Sequence, residues 1–138
     1  MSQNNPSQDD NYFNLHLTGL GYLNRVREVP VKRGSNFFAV DISAMHGKSD
    51  DVQYTRFDCR VSGKEAEAIL TQIKPMIDND ENKVLVGFKL GDLYPDIFVY
   101  NKGKKEGQTG VSLKARLLRI EWVKVNGKLI EIDLPQTA

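Results

Sequence analysis

The chain has 138 residues, with 19 Lys or Arg against 18 Asp or Glu, so its formal net charge at pH 7 is only +1. This length suits a single domain with a core that needs no disulfide, and the one cysteine cannot form an internal disulfide. The sequence has neither the ~18 continuous apolar residues of a membrane helix nor an apolar signal region at its N-terminus. We therefore expect a soluble, cytoplasmic protein with no membrane association.

Basic residues are concentrated between residues 102 and 128, where eight Lys or Arg stand against two Glu. Acidic residues cluster elsewhere, at Asp9–Asp10, Asp50–Asp51 and Asp78–Glu81. The near-neutral total does not indicate a nucleic-acid-binding protein, but a local basic face would suit one. A solvated surface hairpin explains the same charge distribution equally well.

The first part of the chain predicts a disordered tail followed by a long strand. Residues 1–11 contain no aliphatic residue beyond Met1 and cannot bury much surface. "FNLHLTGLGYL" then alternates as a strand does, and Gly19 and Gly21 predict a bulge or a sharp coil within it. A turn is predicted at Gly34–Asn36.

Two further strands follow, each with one apolar side. "FFAVDISAM" predicts strand 2, with Phe38 on its apolar side. "YTRFDCRV" predicts strand 3, with Phe57, Cys59 and Val61 toward the core and a row of charged residues on the other side. That charged row is either a binding face or the solvated outside of an antiparallel sheet.

A helix is predicted directly after strand 3. Ser62 and Glu65 fit a capping box, in which each side chain satisfies a free backbone N–H at the helix start. Pro75 disfavours helical geometry at Lys74, so the helix is expected to end there. Its apolar stripe consists of Ala66, Ile69, Leu70 and Ile73.

The remaining sequence predicts strands joined by a long hairpin. "KVLVGFKL" reads as the fourth main strand, in which Phe88 shares the core side. After a turn at Gly91–Pro95, "DIFVYNK" reads as a separate strand. "KKEGQTG" reads as a hairpin tip and "VSLKARLLRIEWVKV" as a long last strand. A turn at Asn126–Gly127 and a short addition, "KLIEIDL", complete the pattern.

This order predicts a mainly β fold. Five strands with one helix between strands 3 and 4, and a long hairpin arm between strands 4 and 5, form the layout of an OB-fold barrel, although other small α+β barrels share this composition. We expect the domain to span residues 12–134, between the disordered tail 1–11 and a short C-terminal tail 135–138.

The sequence also resembles a known family. "LHLTGLG", "RGSNFFAVDISA", "YTRFDCRVSGKEAEAI" and "KVLVGFKLGDLY" resemble bacterial single-stranded DNA-binding proteins over roughly residues 13–123, most sharply at Gly63–Lys64. More closely, the whole chain looks like a family of uncharacterised replication-associated proteins of integrating conjugative elements. The resemblance implies sequence-tolerant binding of single-stranded DNA during replication or transfer of a mobile element, and a homo-oligomer, dimer or tetramer.

The chain also departs from the pattern of single-stranded DNA-binding proteins. Their Gly- and Gln-rich tail with an acidic tip does not follow "EIDLPQTA", so we expect no recruitment of partners through such a tip. Tyr94 sits near a position where relatives place a stacking Trp. The third-strand stacking positions fall near Arg56 and Ser62, so an Arg replaces one aromatic platform.

Sequence-tolerant binding of a single strand needs flat groups that stack on bases and cations that follow phosphates, and Arg can serve both needs. Residues of these types lie on the strand 3 face, the hairpin arm and the turn before strand 2. The candidate nucleic-acid-binding residues are Lys32, Arg33, Phe37, Tyr54, Arg56, Arg60, Tyr94, Tyr100, Lys102, Lys104 and Lys105.

No pattern in the sequence indicates catalysis. His16 and His46 lack neighbours at metal-ligand spacing, Cys59 reads as a core residue, and "GKKEGQTG" lacks the Gly-Lys-Ser/Thr of a phosphate-binding loop. We expect no enzyme activity, metal, cofactor or small-molecule substrate.

An alternative function is a protein-interaction subunit of a conjugation or replication complex without direct nucleic-acid binding, because an OB fold does not dictate its ligand. We also expect self-association, because the relatives assemble through OB-fold surfaces and a barrel this small offers only a short binding track by itself. Leu118, Ile120 and Trp122 are predicted to share one face of the last strand that meets a second copy.

Overall fold

The computed structural model describes residues 13–132. The predicted tails, 1–11 and 135–138, and the outermost residues of the predicted domain lie outside this range. In chain order the elements are β1 (His16–Val29), β2 (Phe37–Lys48), β3 (Asp51–Val61), α1 (Lys64–Asp78), β4 (Val84–Val99), β5 (Thr109–Val125) and β6 (Lys128–Ile130).

Strands β1 to β5 form a closed, mixed barrel. β1 pairs antiparallel with both β2 and β4, β2 pairs with β3, and β4 pairs with β5. The barrel closes where β3 and β5 run parallel, from Phe57↔Leu113 to Val61↔Leu117. β6 is an extra strand on the edge of β5. This arrangement, with α1 between β3 and β4, confirms the predicted OB-like barrel.

β1 changes partners along its length, which is how one strand serves both sides of the barrel. Its first half pairs with β4 and its second half with β2, and the two ladders overlap at Gly21 and Tyr22. A Cβ at Gly21 would lie 2.4 Å from the backbone oxygen of Ser43, so only glycine permits this close approach. The bulge itself lies further along, between Asn24 and Arg27, and the predicted bulge at the glycines is therefore wrong.

The core fills the barrel, and α1 packs across it against β1 and β5. The inner residues of β3, including Cys59, are buried as predicted, and so is Phe88. Burying each large apolar side chain contributes about 1.5–3 kcal/mol. The predicted helical stripe is buried too, together with Ile77.

Both predicted ends of α1 are wrong. The N-cap is Gly63, at φ 100°, and no side chain caps the helix. The Ser62 hydroxyl instead accepts a hydrogen bond from Arg116 Nη2 at 2.6 Å. The helix runs through Pro75 to Asp78, because burial of Ile77 and the Lys74–Asp78 ion pair (2.6 Å) stabilise its last turn.

β4 is one strand, not two strands separated by a turn. At the predicted turn, Gly91 pairs with Arg116 and Tyr94 with Lys114, so a bulge absorbs the extra residue and pairing continues. Asp92, at φ 56°, lies in this bulge. Beyond it β4 and β5 extend as the predicted hairpin arm, with its tip at residues 100–108.

Two bulges interrupt β5, opposite Gly87–Phe88 and Lys89–Leu90. They shift the side-chain alternation, so Ile120 is buried in the core while Leu118 and Trp122 are only partly buried. The predicted shared face of these three residues is therefore wrong. Among the described residues, no helix is long and apolar enough to cross a bilayer.

Candidate nucleic-acid interface

The outer face of β3 forms the central row of the candidate interface. Because strand residues alternate, the side chains between the buried ones point outward. This row consists of Tyr54, Arg56, Asp58 and Arg60. The parallel partner strand β5 places Lys114 beside Asp58 and Arg116 beside Arg60.

A cleft of about 350 Å³, called the first cleft below, brings together three of the residues predicted from the sequence, Phe37, Arg60 and Tyr94. The guanidinium carbon of Arg60 lies 4.1 Å from the centre of the Phe37 ring, which is a cation–π contact. The Tyr94 side chain is half exposed. Asp58, Asp92, Lys114 and Arg116 complete the polar lining.

A second cleft, of about 430 Å³, lies at the base of the hairpin arm. It brings together Arg56 and Tyr100, two further residues predicted from the sequence, with Asp96 and Phe98 beside them. Asp58 and Lys114 line both clefts. The two clefts therefore form one continuous groove across β3, β5 and β4.

An ion-pair network begins in this groove, at Asp58 and Lys114, and extends to β2 and β1. Asp41 and Asp58 are direct partners on neighbouring strands, and Arg27 bridges them, with its Nη atoms 3.2 Å from Asp41 Oδ1 and 2.6 Å from Asp58 Oδ1. Arg25 and Lys114 extend the network at each end, at 2.8 and 2.6 Å. The two carboxylates are thus neutralised, which allows Asp41 to be 2% exposed.

The network also sets the titration of Asp58. Burial raises the pKa of its carboxyl, but the hydrogen bonds and charges of Lys114 and Arg27 outweigh burial, so the pKa lies below its ordinary value. The network engages Arg25, Arg27 and Lys114 in ion pairs with carboxylates. Arg56 and Arg60 take part in none of the ion pairs of the described residues.

The hairpin arm carries its aromatic residues on the side that faces the groove. The rings of Phe98 and Tyr100 meet edge to face, with centroids 5.0 Å apart. A Cβ at Gly110 would lie 2.6 Å from the Phe98 ring and 2.8 Å from the Tyr100 ring, so glycine leaves room for both rings against β5. Lys105 Nζ lies 5.4 Å from the Tyr100 ring centre, and Lys102 and Lys104 are exposed on the tip.

The family model of DUF3577, described as a protein of unknown function, matches residues 6–137. The chain belongs to the DUF3577 family. Comparison with the curated proteins and with the solved structures gave no match.

Six of the predicted residues of this DUF3577 protein lie outside the lining of both clefts, and three of the six are the lysines of the arm tip, Lys102, Lys104 and Lys105. Tyr54 stands at the far end of the β3 row, where its ring lies 6.4 Å from that of Tyr22. Lys32 and Arg33 are exposed in the loop that leads into Phe37 and line neither cleft.

Two groove residues of the DUF3577 chain, Lys114 and Arg116, and Arg27 of the ion-pair network were not predicted from its sequence. Lys114 and Arg116 could have been found, because their alternation with Ala115 and Leu117 in "LKARL" places both on the outer face. Arg27 gave no such signal. It reaches Asp58 only because the bulge between Asn24 and Arg27 shifts the alternation of β1.

The residues considered for catalysis lie in other surroundings. Burial raises the pKa of the Cys59 thiol to about 12, so it is not a thiolate nucleophile at neutral pH. His46 Nε2 lies 2.9 Å from Thr55 Oγ1 on the surface. Within residues 13–132, no group of three or more His, Cys, Asp or Glu could hold a metal ion. What the groove offers chemically is two guanidinium groups outside any ion pair of the described residues, among aromatic rings that are partly exposed or, at Tyr94, half exposed.

Proposed function

We propose that this DUF3577 protein binds single-stranded DNA with little sequence preference, as a homo-oligomer, in replication or transfer of a mobile genetic element. The observation that carries the proposal is the first cleft, where Arg60 stacks on Phe37 opposite the half-exposed Tyr94. The mobile-element context rests on the resemblance of the sequence to proteins of integrating conjugative elements.

The groove provides both kinds of contact that a single strand needs. Flat groups that stack on bases contribute about 1–3 kcal/mol per base and accept every base, because each has a π face. The stack of Arg60 on Phe37 holds a planar guanidinium in place before a ligand arrives, which reduces the entropy lost on binding. Arg56 and the lysines of the arm tip are available to phosphates.

The length of the outer row of β3 also suits a single-stranded DNA ligand. From Tyr54 to Arg60 the outer row of β3 is about 20 Å long, and the second cleft extends the groove along the arm. One OB fold takes about 4–16 nucleotides. In this proposal a DNA strand that follows the groove passes the arm lysines at one end and Lys32 and Arg33 at the other.

Fluorescence titration with a labelled oligo-dT of ~30–70 nucleotides tests the proposal. We expect binding at low salt, and Arg60→Ala should weaken it by about 1–3 kcal/mol, roughly 5- to 150-fold in Kd. Arg119→Ala is the matched control, because Arg119 is equally cationic but pairs with Glu121 (3.4 Å) outside both clefts.

Absence of binding at low salt would remove the proposal and favour a protein-interaction subunit that does not bind nucleic acid. An equal loss in the Arg60 and Arg119 variants would show non-specific attraction to positive charge, and the groove would then not be the site.

A further inference from the structure

The hairpin arm has a second side whose chemistry differs from that of the groove. Between residues 94 and 99 the alternation is regular, so the residues on the opposite side of the two strands from Phe98 form a set of their own. Two of them, Val111 and Leu113, also contribute to the lining of the second cleft. We call this set the aliphatic face; it consists of Pro95, Ile97, Val99, Thr109, Val111 and Leu113. None of these residues is charged, in a chain that is 27% charged.

The aliphatic face is solvent-exposed over most of its length. Ile97 is 68% exposed, Val99 61% and Val111 62%, and Ile97 lies directly opposite Val111 across the two strands. A contiguous apolar patch of this kind is unusual on a soluble monomer and marks a contact surface. A two-stranded ribbon is also marginally stable by itself, so packing against this face would stabilise the arm.

The face continues into the apolar end of the barrel. Leu113 packs against the core and is the direct partner of Phe57 on β3. Phe57 in turn lines an apolar cleft of about 310 Å³ with Leu17 and Met45. The contact surface therefore extends from the arm to this cleft.

The parts of the printed chain outside the described residues do not suit this surface. Residues 1–12 contain no aliphatic residue besides Met1. Residues 133–138 follow β6, which pairs with Val123–Val125, about 40 Å along β5 from Val111. Six residues reach only about 20 Å.

We propose that the aliphatic face is the contact between two copies of this chain. In a two-fold contact each surface meets itself, so a charged surface would bring like charges together, whereas this uncharged one buries no unpaired charge. The arms pack back to back through Ile97 and Val111. On both copies Tyr94, Tyr100 and the arm-tip lysines remain outside this contact. This contact rests on the homo-oligomer of the proposed function, but it does not depend on DNA binding.

Light scattering of the full chain at micromolar concentration tests the contact. We expect the wild type to have at least twice the mass of one chain, and the double variant Ile97→Asp, Val111→Asp to have the mass of one chain. Leu129→Asp is the matched control, because Leu129 is 64% exposed on β6, away from the arm, and its mass should equal that of the wild type. Circular dichroism should show all three proteins folded.

Cross-linking tests the same contact without disrupting it. A short bismaleimide should join two copies of the Ile97→Cys or Val111→Cys variant and leave Leu129→Cys uncoupled. The buried Cys59, with its raised pKa, stays silent in this experiment.

The outcomes separate this proposal from the proposed function. A wild type with the mass of one chain, or an oligomer that survives Ile97→Asp, Val111→Asp, would overturn the contact even if DNA binds tightly. An arm-dependent dimer that fails to bind oligo-dT would overturn the DNA proposal alone.

Discussion

Single residues of the groove divide into cations that are already paired and cations that are free. Arg27 and Lys114 hold Asp58 at 2.6 Å each, so they stabilise the barrel and offer little attraction to a phosphate. Arg60 contacts a ring and no carboxylate. Among the cations that line the first cleft, Arg60 is therefore the one whose positive charge is not offset by a carboxylate and is available to a ligand.

The two most exposed tyrosines of the candidate set allow a direct comparison, because Tyr94 and Tyr54 are each 55% exposed. Tyr94→Ala should weaken oligo-dT binding by about 1–3 kcal/mol, the value of one stacked base, and leave the salt dependence unchanged, because no counterion release is lost. Tyr54→Ala should have the smaller effect, since Tyr54 lies outside both clefts. Titrations at several salt concentrations measure the affinity and its salt dependence. Equal losses of affinity in the two variants would mean that the DNA strand follows the whole length of β3.

For single residues, the sequence predicted which side chains face outward better than it predicted which side chains contact one another. Alternation placed Arg56 and Arg60 on the outer face of β3, because the buried side of that strand is clearly apolar. The stack of Arg60 on Phe37 depends on the register between β2 and β3, which pairs Ala39 with Arg60. No local pattern encodes that register.

Among the elements, the arm is the one whose two faces have separate roles in these proposals. One face carries Phe98 and Tyr100 above Gly110, and the other carries the aliphatic residues. The sequence predicted the arm but divided β4 at Gly91–Pro95, because a glycine and a proline within a few residues usually mark a turn. The strand continues since a bulge takes up the extra residue while Tyr94 remains paired with Lys114.

The arm tip should contribute charge and not stacking. Changing Lys104 and Lys105 to Ala should weaken binding to every oligonucleotide and reduce the slope of log K against log salt by roughly 0.7 per lost phosphate contact. The double variant Lys124→Ala, Lys128→Ala removes the same charge at the other end of β5 and serves as control. A slope that is the same in both double variants would move the phosphate contacts to Lys32 and Arg33.

For α1, local rules failed at both ends. The residue types at and after Ser62 match a capping box, but the Ser62 hydroxyl instead accepts a hydrogen bond from Arg116 of a distant strand. Pro75 did not end the helix, because the tertiary contact of Ile77 outweighs the loss of one backbone hydrogen bond. In both cases a long-range contact overrode the local preference.

In the whole molecule, the ion-pair network links β1, β2, β3 and β5 across the closure of the barrel. Because the folded-state pKa of Asp58 is lowered, its contribution to stability is present above the unfolded pKa, near 3.8, and is lost as pH falls through the folded value. Lys114→Met should lower the free energy of unfolding at pH 7 by about 0.5–1 kcal/mol. The loss of stability between pH 7 and pH 3 should also become smaller.

Urea unfolding at the two pH values measures this difference, with Lys128→Met as the control for removing an exposed lysine. The prediction is wrong if both variants keep the acid sensitivity of the wild type. The overall fold could be predicted from the order and alternation of the elements, but this network could not, because Asp58 and Lys114 are 56 residues apart.

The parallel pairing of β3 with β5 also has a consequence for how the protein folds. Loop closure over so many residues is entropically costly, and folds that depend on such distant contacts fold slowly. During synthesis, strands β1 to β4 emerge before the strand that completes the ring. The groove has no second wall until β5 has left the ribosome, so the nascent chain acquires its barrel and its candidate site in the same step.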